Sequence, residues 1–229
     1  MIDEPPILKI RRHFPRPTAA QIEALRDTPT SFAVDAMDGH GAVDWRIKPL
    51  DANCACFVGT AITCHAGPSD NMAVKAAIDL SQPGDVIMVC AEQFTGAACT
   101  GDLLVGIMKN RGVTGYVTDG LVRDRDDIVD LGLPVFAMGT SPNSGVSSGP
   151  GTVGLPVVVG GVPVDAGDVI LGNSDGVTVI PRTRIDEVTE RLERIRELES
   201  DLLARVRGGL KEVPGTRALL ESDRVQYVD

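Results

Sequence analysis

Between residues 57 and 137 short apolar runs alternate with helical stripes, and this alternation limits the possible folds more than any other feature of the chain. Phe57–Cys64 (FVGTAITC) reads as a strand. Asp70 then opens a helix through Leu80, whose Met72, Ala73, Ala76, Ala77 and Leu80 make one buried stripe. SQPGD at 81–85 is a turn, and Val86–Cys90 (VIMVC) is apolar throughout, as expected for a strand covered on both faces. A loop of small residues leads to a helix from about Gly101 to Asn110, with Leu103, Leu104, Ile107 and Met108 as its apolar face. Tyr116–Thr118 is a strand and Asp119–Gly120 a turn, followed by a short helix at Asp124–Leu131 and a strand at Pro134–Ala137. Strands separated by helices in this rhythm predict an α/β fold with a parallel sheet and right-handed crossovers.

The flanks differ in style. Thr18–Arg26 has helical character with Thr18 as N-cap, and Thr30–Met37 suits a second short helix. Residues 140–154 are rich in Gly, Ser, Pro and Thr and read as an exposed loop. Val162–Val164, Asp168–Leu171 and Val177–Ile180 are short hairpin strands separated by turn sequences. A charged helix then runs from Thr183 to about Arg207, with one narrow apolar seam at Ile185, Val188, Leu192, Ile195, Leu198, Leu202 and Val206. That seam suits its own domain or a neighbouring subunit. In the tail Leu219, Leu220, Val225 and Tyr227 could dock. With no internal repeat or long linker, 229 residues suit a single domain.

Composition removes several function classes. A net charge of −10 and a pI near 4.8 repel a phosphate backbone and disfavour nucleic-acid binding. The one basic stretch, Lys9–Arg16, lies among prolines and reads as a solvated or docking arm. No apolar run approaches the roughly eighteen residues of a membrane span, and Asp3, Glu4, Pro5 and Pro6 do not make a signal peptide. A cytoplasmic location is the default expectation. The cysteines Cys54, Cys56, Cys64, Cys90 and Cys99 form no C-x-x-C pair, with Cys54 and Cys56 expected on one face of a strand. They read as small hydrophobes in a reducing compartment rather than as disulfides or a zinc site. His13, His40 and His65 lack ligand spacing.

Chemistry is expected at two helix starts that follow strands of the parallel sheet, where ligands of such sheets collect. At Thr100–Leu104 (TGDLL) a glycine lets a ligand approach free backbone N–H groups, or Thr100 and Gly101 merely cap the helix. At Asp119–Asp127 (DGLVRDRDD) Arg123 stands beside Asp124, a planar cation next to the hard oxygen ligand that magnesium prefers. Alternatively Asp124 is an N-cap and Arg123 a surface ion-pair partner.

The spacing Asp102-x20-Arg123-Asp124, together with VDAM at 34–37, GTAITC…SDNMA at 59–73, PGDVIMV at 83–89, GVTGYVTDGLVRD at 112–124 and SDGVTVIP at 174–181, resembles the RraA-like family. The likeness spans roughly residues 30–210 and leaves out the arm at 1–17, whose purpose it does not explain. The family includes class II pyruvate aldolases, acting on 4-hydroxy-4-methyl-2-oxoglutarate or 4-carboxy-4-hydroxy-2-oxoadipate and often decarboxylating oxaloacetate. The resemblance implies a swivelling-type α/β/β/α sandwich with a long C-terminal helix (183–207). It implies a homotrimer or homohexamer with active sites at subunit interfaces. It further implies Mg2+ (or Mn2+) bound directly by Asp124 and chelated by a small 2-oxo acid. Backbone N–H groups of Gly101, Asp102, Leu103 and Leu104 would hold the substrate carboxylate, and Arg123 would face the 2-oxo oxygen. Asp102 would act through a metal-held water, and Glu199 (or Glu197) of a neighbouring subunit would reach another. Two alternatives stand beside this lyase. One is a non-catalytic ring that binds a protein partner, as ribonuclease regulators in the family do, although these lack the full Asp102–Arg123–Asp124 set. The other is a lyase or hydratase for another oxo or sugar acid. A menaquinone methyltransferase finds no glycine-rich cofactor loop here.

Overall fold

A computed structural model describes residues 6–228; Met1–Pro5 and Asp229, and with them the acidic start of the arm, lie outside the described residues. In chain order the elements are β1 (Leu8–Ile10), α1 (Ala19–Ala24), α2 (Thr30–Ala36), β2 (Lys48–Pro49), β3 (Phe57–His65), α3 (Met72–Leu80), β4 (Asp85–Cys90) and β5 (Ala98–Thr100). They continue with α4 (Asp102–Asn110), β6 (Gly115–Thr118), β7 (Leu121–Val122), α5 (Arg125–Leu131), β8 (Val135–Ala137), β9 (Gly139–Thr140) and β10 (Gly151–Val153). β11 (Val157–Val159), β12 (Val162–Val164), β13 (Val169–Asn173), β14 (Gly176–Ile180), α6 (Ile185–Arg207) and α7 (Thr216–Leu220) complete the chain.

The expected parallel sheet is the centre of the molecule, in the order β1-β10-β3-β4-β6-β8-β2, with β3, β4, β6 and β8 mutually parallel. Strand side chains alternate between faces, and β4 shows why VIMVC is apolar throughout. Ile87 and Val89 enter a core with α3, α4 and α5, while Val86, Met88 and Cys90 enter a second core against β11–β14. The hairpin β13–β14 repeats the alternation. Ile170, Val177 and Val179 face the second core, and Val169, Leu171 and Ile180 face a third, formed with α1, α2 and α6. The layers are therefore helix, sheet, sheet and helix, as the family resemblance implies, with the β13–β14 hairpin joined to the main sheet by antiparallel pairing of β13 with β3. Within the second core Phe57 meets Phe136 edge-on, ring centroids 5.6 Å apart, and a fully buried side chain such as Phe136 stabilises the fold by roughly 1.5–3 kcal/mol.

Several local expectations need correction. The glycine-rich stretch 140–154 is not simply an exposed loop. Its end forms β10, antiparallel to β3, because Gly151 offers no side chain where a Cβ would stand 2.7 Å from that of Ala73. Of the two readings of the N-terminal arm, docking holds, although Lys9–His13 and Pro15 are exposed. β1 adds a parallel edge strand to β10, and Arg16 pairs with Asp85, whose side chain is wholly buried. The buried stripe of α4 is Val105 and Met108 with Leu104 packed beside them, whereas Leu103 and Ile107 are 74% and 46% exposed. Leu103 and Ile107 instead line an open groove between α4 and α5. Cys54 closes a single 3-10 turn and Cys56 lies beyond it, so no strand aligns them; Cys64, Cys90 and Cys99 are buried as expected. Asp70 precedes α3 rather than beginning it, and its carboxylate accepts the Met72 N–H at 2.7 Å and those of Ser148 and Gly149. In the tail Leu219, Leu220 and Tyr227 remain exposed.

Among the described residues no helix is long and apolar enough to cross a membrane. Because Asp85 has no exposure of its own, Arg16→Ala leaves a buried carboxylate without its cation and is expected to cost about 3 kcal/mol. The urea midpoint measures this; an unshifted midpoint would mean that the arm adds nothing to stability.

Candidate active site

Two strands outside the main sheet bring the two helix starts together. β5 and β7 pair in parallel with Thr100 in register with Val122, and the Arg123 N–H donates to the Thr100 carbonyl at 3.0 Å. Gly101–Asp102 and Arg123–Asp124 therefore leave the same end of one small sheet. The interval of twenty residues in the sequence is what α4, β6 and the return into β7 occupy. Gly101 is extended (φ −140°, ψ −176°), so its backbone would suit any residue. What glycine leaves open is space for two side chains: a Cβ there would lie 2.6 Å from Asp124 Oδ2 and 3.0 Å from Arg123 Nε and would make them shift.

Neither helix start is capped by a side chain. α4 begins after Gly101 with no side-chain cap bond, and Asp102 stands in its first turn. The first N–H groups of a helix have no intrahelical partner, so those of α4 present donors and a positive dipole end beside Gly101. Asp124 occupies the N-cap position of α5 in the left-handed region (φ 58°, ψ 46°), and its carboxylate makes no cap bond. Instead Asp124 Oδ2 lies 3.1 Å from Arg123 Nε, with the two side chains 34% and 39% exposed. Asp124 is thus the N-cap by position but makes no side-chain cap bond, and Arg123 forms an ion pair as the alternative expected. A non-glycine residue rarely holds this backbone without a local reason.

Behind the site lies a network that the sequence reading missed. The Tyr116 hydroxyl sits 2.7 Å from Thr100 Oγ1 and 3.3 Å from Cys99 Sγ. Burial raises the Tyr116 hydroxyl well above its ordinary range and pushes the Cys99 thiol up, so both stay neutral at neutral pH. The only signal in the sequence was a tyrosine and two threonines inside otherwise apolar strands.

Beside Asp102 runs a groove of about 440 Å3 between α4 and α5, lined by Leu103, Gly106 and Ile107 on one side and Asp127, Asp130 and Leu131 on the other. Gly101 and Leu104 flank Asp102 and Leu103 on the same turn. Glu199 is not brought to this site within the chain, nor is Glu197. Both are exposed on the distal half of α6, where Leu198, Leu203 and Val206 are also bare. Among the described residues no three His, Cys, Asp or Glu side chains converge as a metal-holding group.

The family profile described as "RraA-like: Aldolase/RraA" matches residues 30–179, which include the whole of this site. A Halalkalibacterium halodurans protein provisionally named 4-hydroxy-4-methyl-2-oxoglutarate aldolase is 37% identical over 200 residues, 87% of this chain and 93% of that protein. Among solved structures, an uncharacterised Pseudomonas syringae protein superposes with a TM-score of 0.76 at 21% identity, covering 86% of this chain and 97% of that one. A Streptomyces coelicolor protein, described as an unusual member of the RNase ES inhibitor RraA family, gives 0.73 at 26% identity over 84% of this chain and all of its own. By fold and by sequence, this chain belongs to the RraA-like family.

Proposed function

We propose that this protein is a divalent-metal-dependent lyase that cleaves or decarboxylates small 2-oxo acids and releases pyruvate. The observation that carries this reading is the packing of Arg123 and Asp124 against Gly101, at an uncapped helix start. The aldolase name of the Halalkalibacterium relative supports it.

The residues fit a hard cation such as Mg2+ or Mn2+. Asp124 directs a carboxylate, held by no cap bond, into the space that Gly101 keeps clear. Magnesium accepts one or two carboxylates and completes its shell with waters and substrate. When bound, the cation would polarise the 2-oxo group as a Lewis acid. The backbone N–H groups of Gly101, Asp102, Leu103 and Leu104 would receive the substrate carboxylate. Arg123 would direct its guanidinium at the 2-oxo oxygen and stabilise the negative charge that grows there as the C3–C4 bond breaks. Asp102 would hold a water that takes the C4 hydroxyl proton of an aldol substrate and later protonates the pyruvate enolate at C3. In oxaloacetate the same enolate forms as carbon dioxide leaves.

Glu199 would complete the site from a neighbouring subunit of a trimer or hexamer. The bare distal seam of α6 and the exposed Leu103 and Ile107 beside Asp102 support that arrangement. A second reading, a ring that binds a ribonuclease, rests on likeness to the Streptomyces protein. It gives no reason for Asp102, Arg123 and Asp124 to gather around Gly101.

Coupled to lactate dehydrogenase, the protein is expected to release pyruvate from 4-hydroxy-4-methyl-2-oxoglutarate or oxaloacetate with Mg2+ and to stop in EDTA. Turnover that survives EDTA sinks the metal mechanism. Asp124→Ala should lower activity by about a hundredfold or more while the elution volume on a sizing column stays the same. Gly101→Ala should weaken Mg2+ binding by about 10- to 100-fold, measured by calorimetry. Full affinity in that variant would mean that the contact with Asp124 is incidental.

A further inference from the structure

The carboxylate of Asp119 is 3% exposed, and no step described above uses it. It accepts the main-chain N–H of Ala91 at 2.6 Å, and the main-chain N–H groups of Gln93 and Gly160 lie nearby without hydrogen-bonding to it. Burial raises its pKa, and these main-chain donors oppose the shift. The segment it holds is unusual. Glu92 and Gln93 are consecutive non-glycine residues in the left-handed region, each at φ 55°. Such a turn persists only where its surroundings over-determine it.

The turn that follows Ala91 is closed by the Phe94 N–H, which donates to the Ala91 carbonyl at 3.1 Å. Gln93 Oε1 accepts from Arg46 at 3.1 Å, Arg46 is held by Asp44 at 2.6 Å, and the Asp44 N–H donates to the Gly160 carbonyl at 2.9 Å. Three loops thereby meet beside one buried carboxylate, which holds the first of them through Ala91. From the strained turn the chain runs directly through Phe94–Ala97 into β5, which ends at Thr100 beside Gly101. That segment is held on its other side by Asn143, which donates to the Gly96 carbonyl at 2.7 Å and accepts the Ala98 N–H at 2.8 Å.

We propose that Asp119 is a positioning residue: through Ala91 it pins the strained Glu92–Gln93 turn and so fixes the 94–99 segment that delivers Thr100 and Gly101 to the site. The kinetic part of this inference rests on the lyase reading above; the mechanical part does not. Asp119→Asn places an NH2 group where N–H donors already converge. It is expected to speed hydrogen exchange of the amides at 91–97 by about tenfold and to raise KM about tenfold with kcat within about threefold. Mg2+ affinity should stay at the wild-type value. A pair of variants at one position isolates the backbone: both remove the Glu92 carboxylate, but valine resists the left-handed conformation and glycine does not. Glu92→Val should raise KM and Glu92→Gly should not, and this pair decides the matter if Asp119→Asn fails to fold. Unchanged exchange or unchanged KM in Asp119→Asn overturns the proposal, as does equal KM in the two Glu92 variants. Wild-type protein that releases no pyruvate refutes the lyase reading instead, and exchange then tests the hold of Asp119 alone.

Discussion

The parallel pairing of β5 with β7 is the constraint on which the rest of the site depends. These strands have three and two residues, yet the register of Thr100 with Val122 decides that two helix starts from different crossovers face each other. Because strand side chains alternate, a slip of one residue would turn every contact over. The register is fixed from behind by Tyr116, whose hydroxyl reaches Thr100 from the central sheet, and from the front by Gly101, which admits Arg123 and Asp124 close to the backbone. A small sheet thus borrows its precision from the larger one beneath it.

Much of this was legible in the sequence because burial imposes periodicity. The apolar run of β4 was readable as such, since each position answers to a face, whereas the stripe expected on α3 caught Ala73 and Ala77 but missed the buried Val74 and Ile78. The N-cap of α1 is likewise local: Thr18 stands where expected, and Gln21 completes a capping box with it that the sequence reading did not name. What escaped was non-local. β10 is built from Gly, Thr and Val, and only its neighbours β1 and β3 make it a strand. Leu103 and Ile107 sit at helical spacing with the buried residues of α4 but line the open groove toward α5. Of the site residues, Gly101, Asp102, Arg123 and Asp124 came from motif and spacing. Asp119 and Tyr116 act through tertiary hydrogen bonds that no spacing announces.

The electrostatics of the site run against those of the molecule. The chain carries a net charge of −10, and the groove beside Asp102 adds Asp127 and Asp130. Opposing them locally are the guanidinium of Arg123 and the uncapped start of α4. Fields at short range in partly excluded solvent outweigh distant charge that salt screens within about 8–10 Å. An acidic protein can therefore favour a small anion at one point while its net charge repels polyanions elsewhere.

The arm at the beginning of the chain has a consequence for assembly of the sheet. β1 lies parallel to β10, so Leu8 is joined to Gly151 across most of the chain, and Arg16 closes on Asp85 from the same side. A ribosome delivers this edge strand long before its only neighbour in the sheet exists. Contacts so distant in sequence are slow to form because the intervening chain must first be ordered. The segment synthesised early is thus among the last to find its place, and until then the β10 edge stays open to other strands.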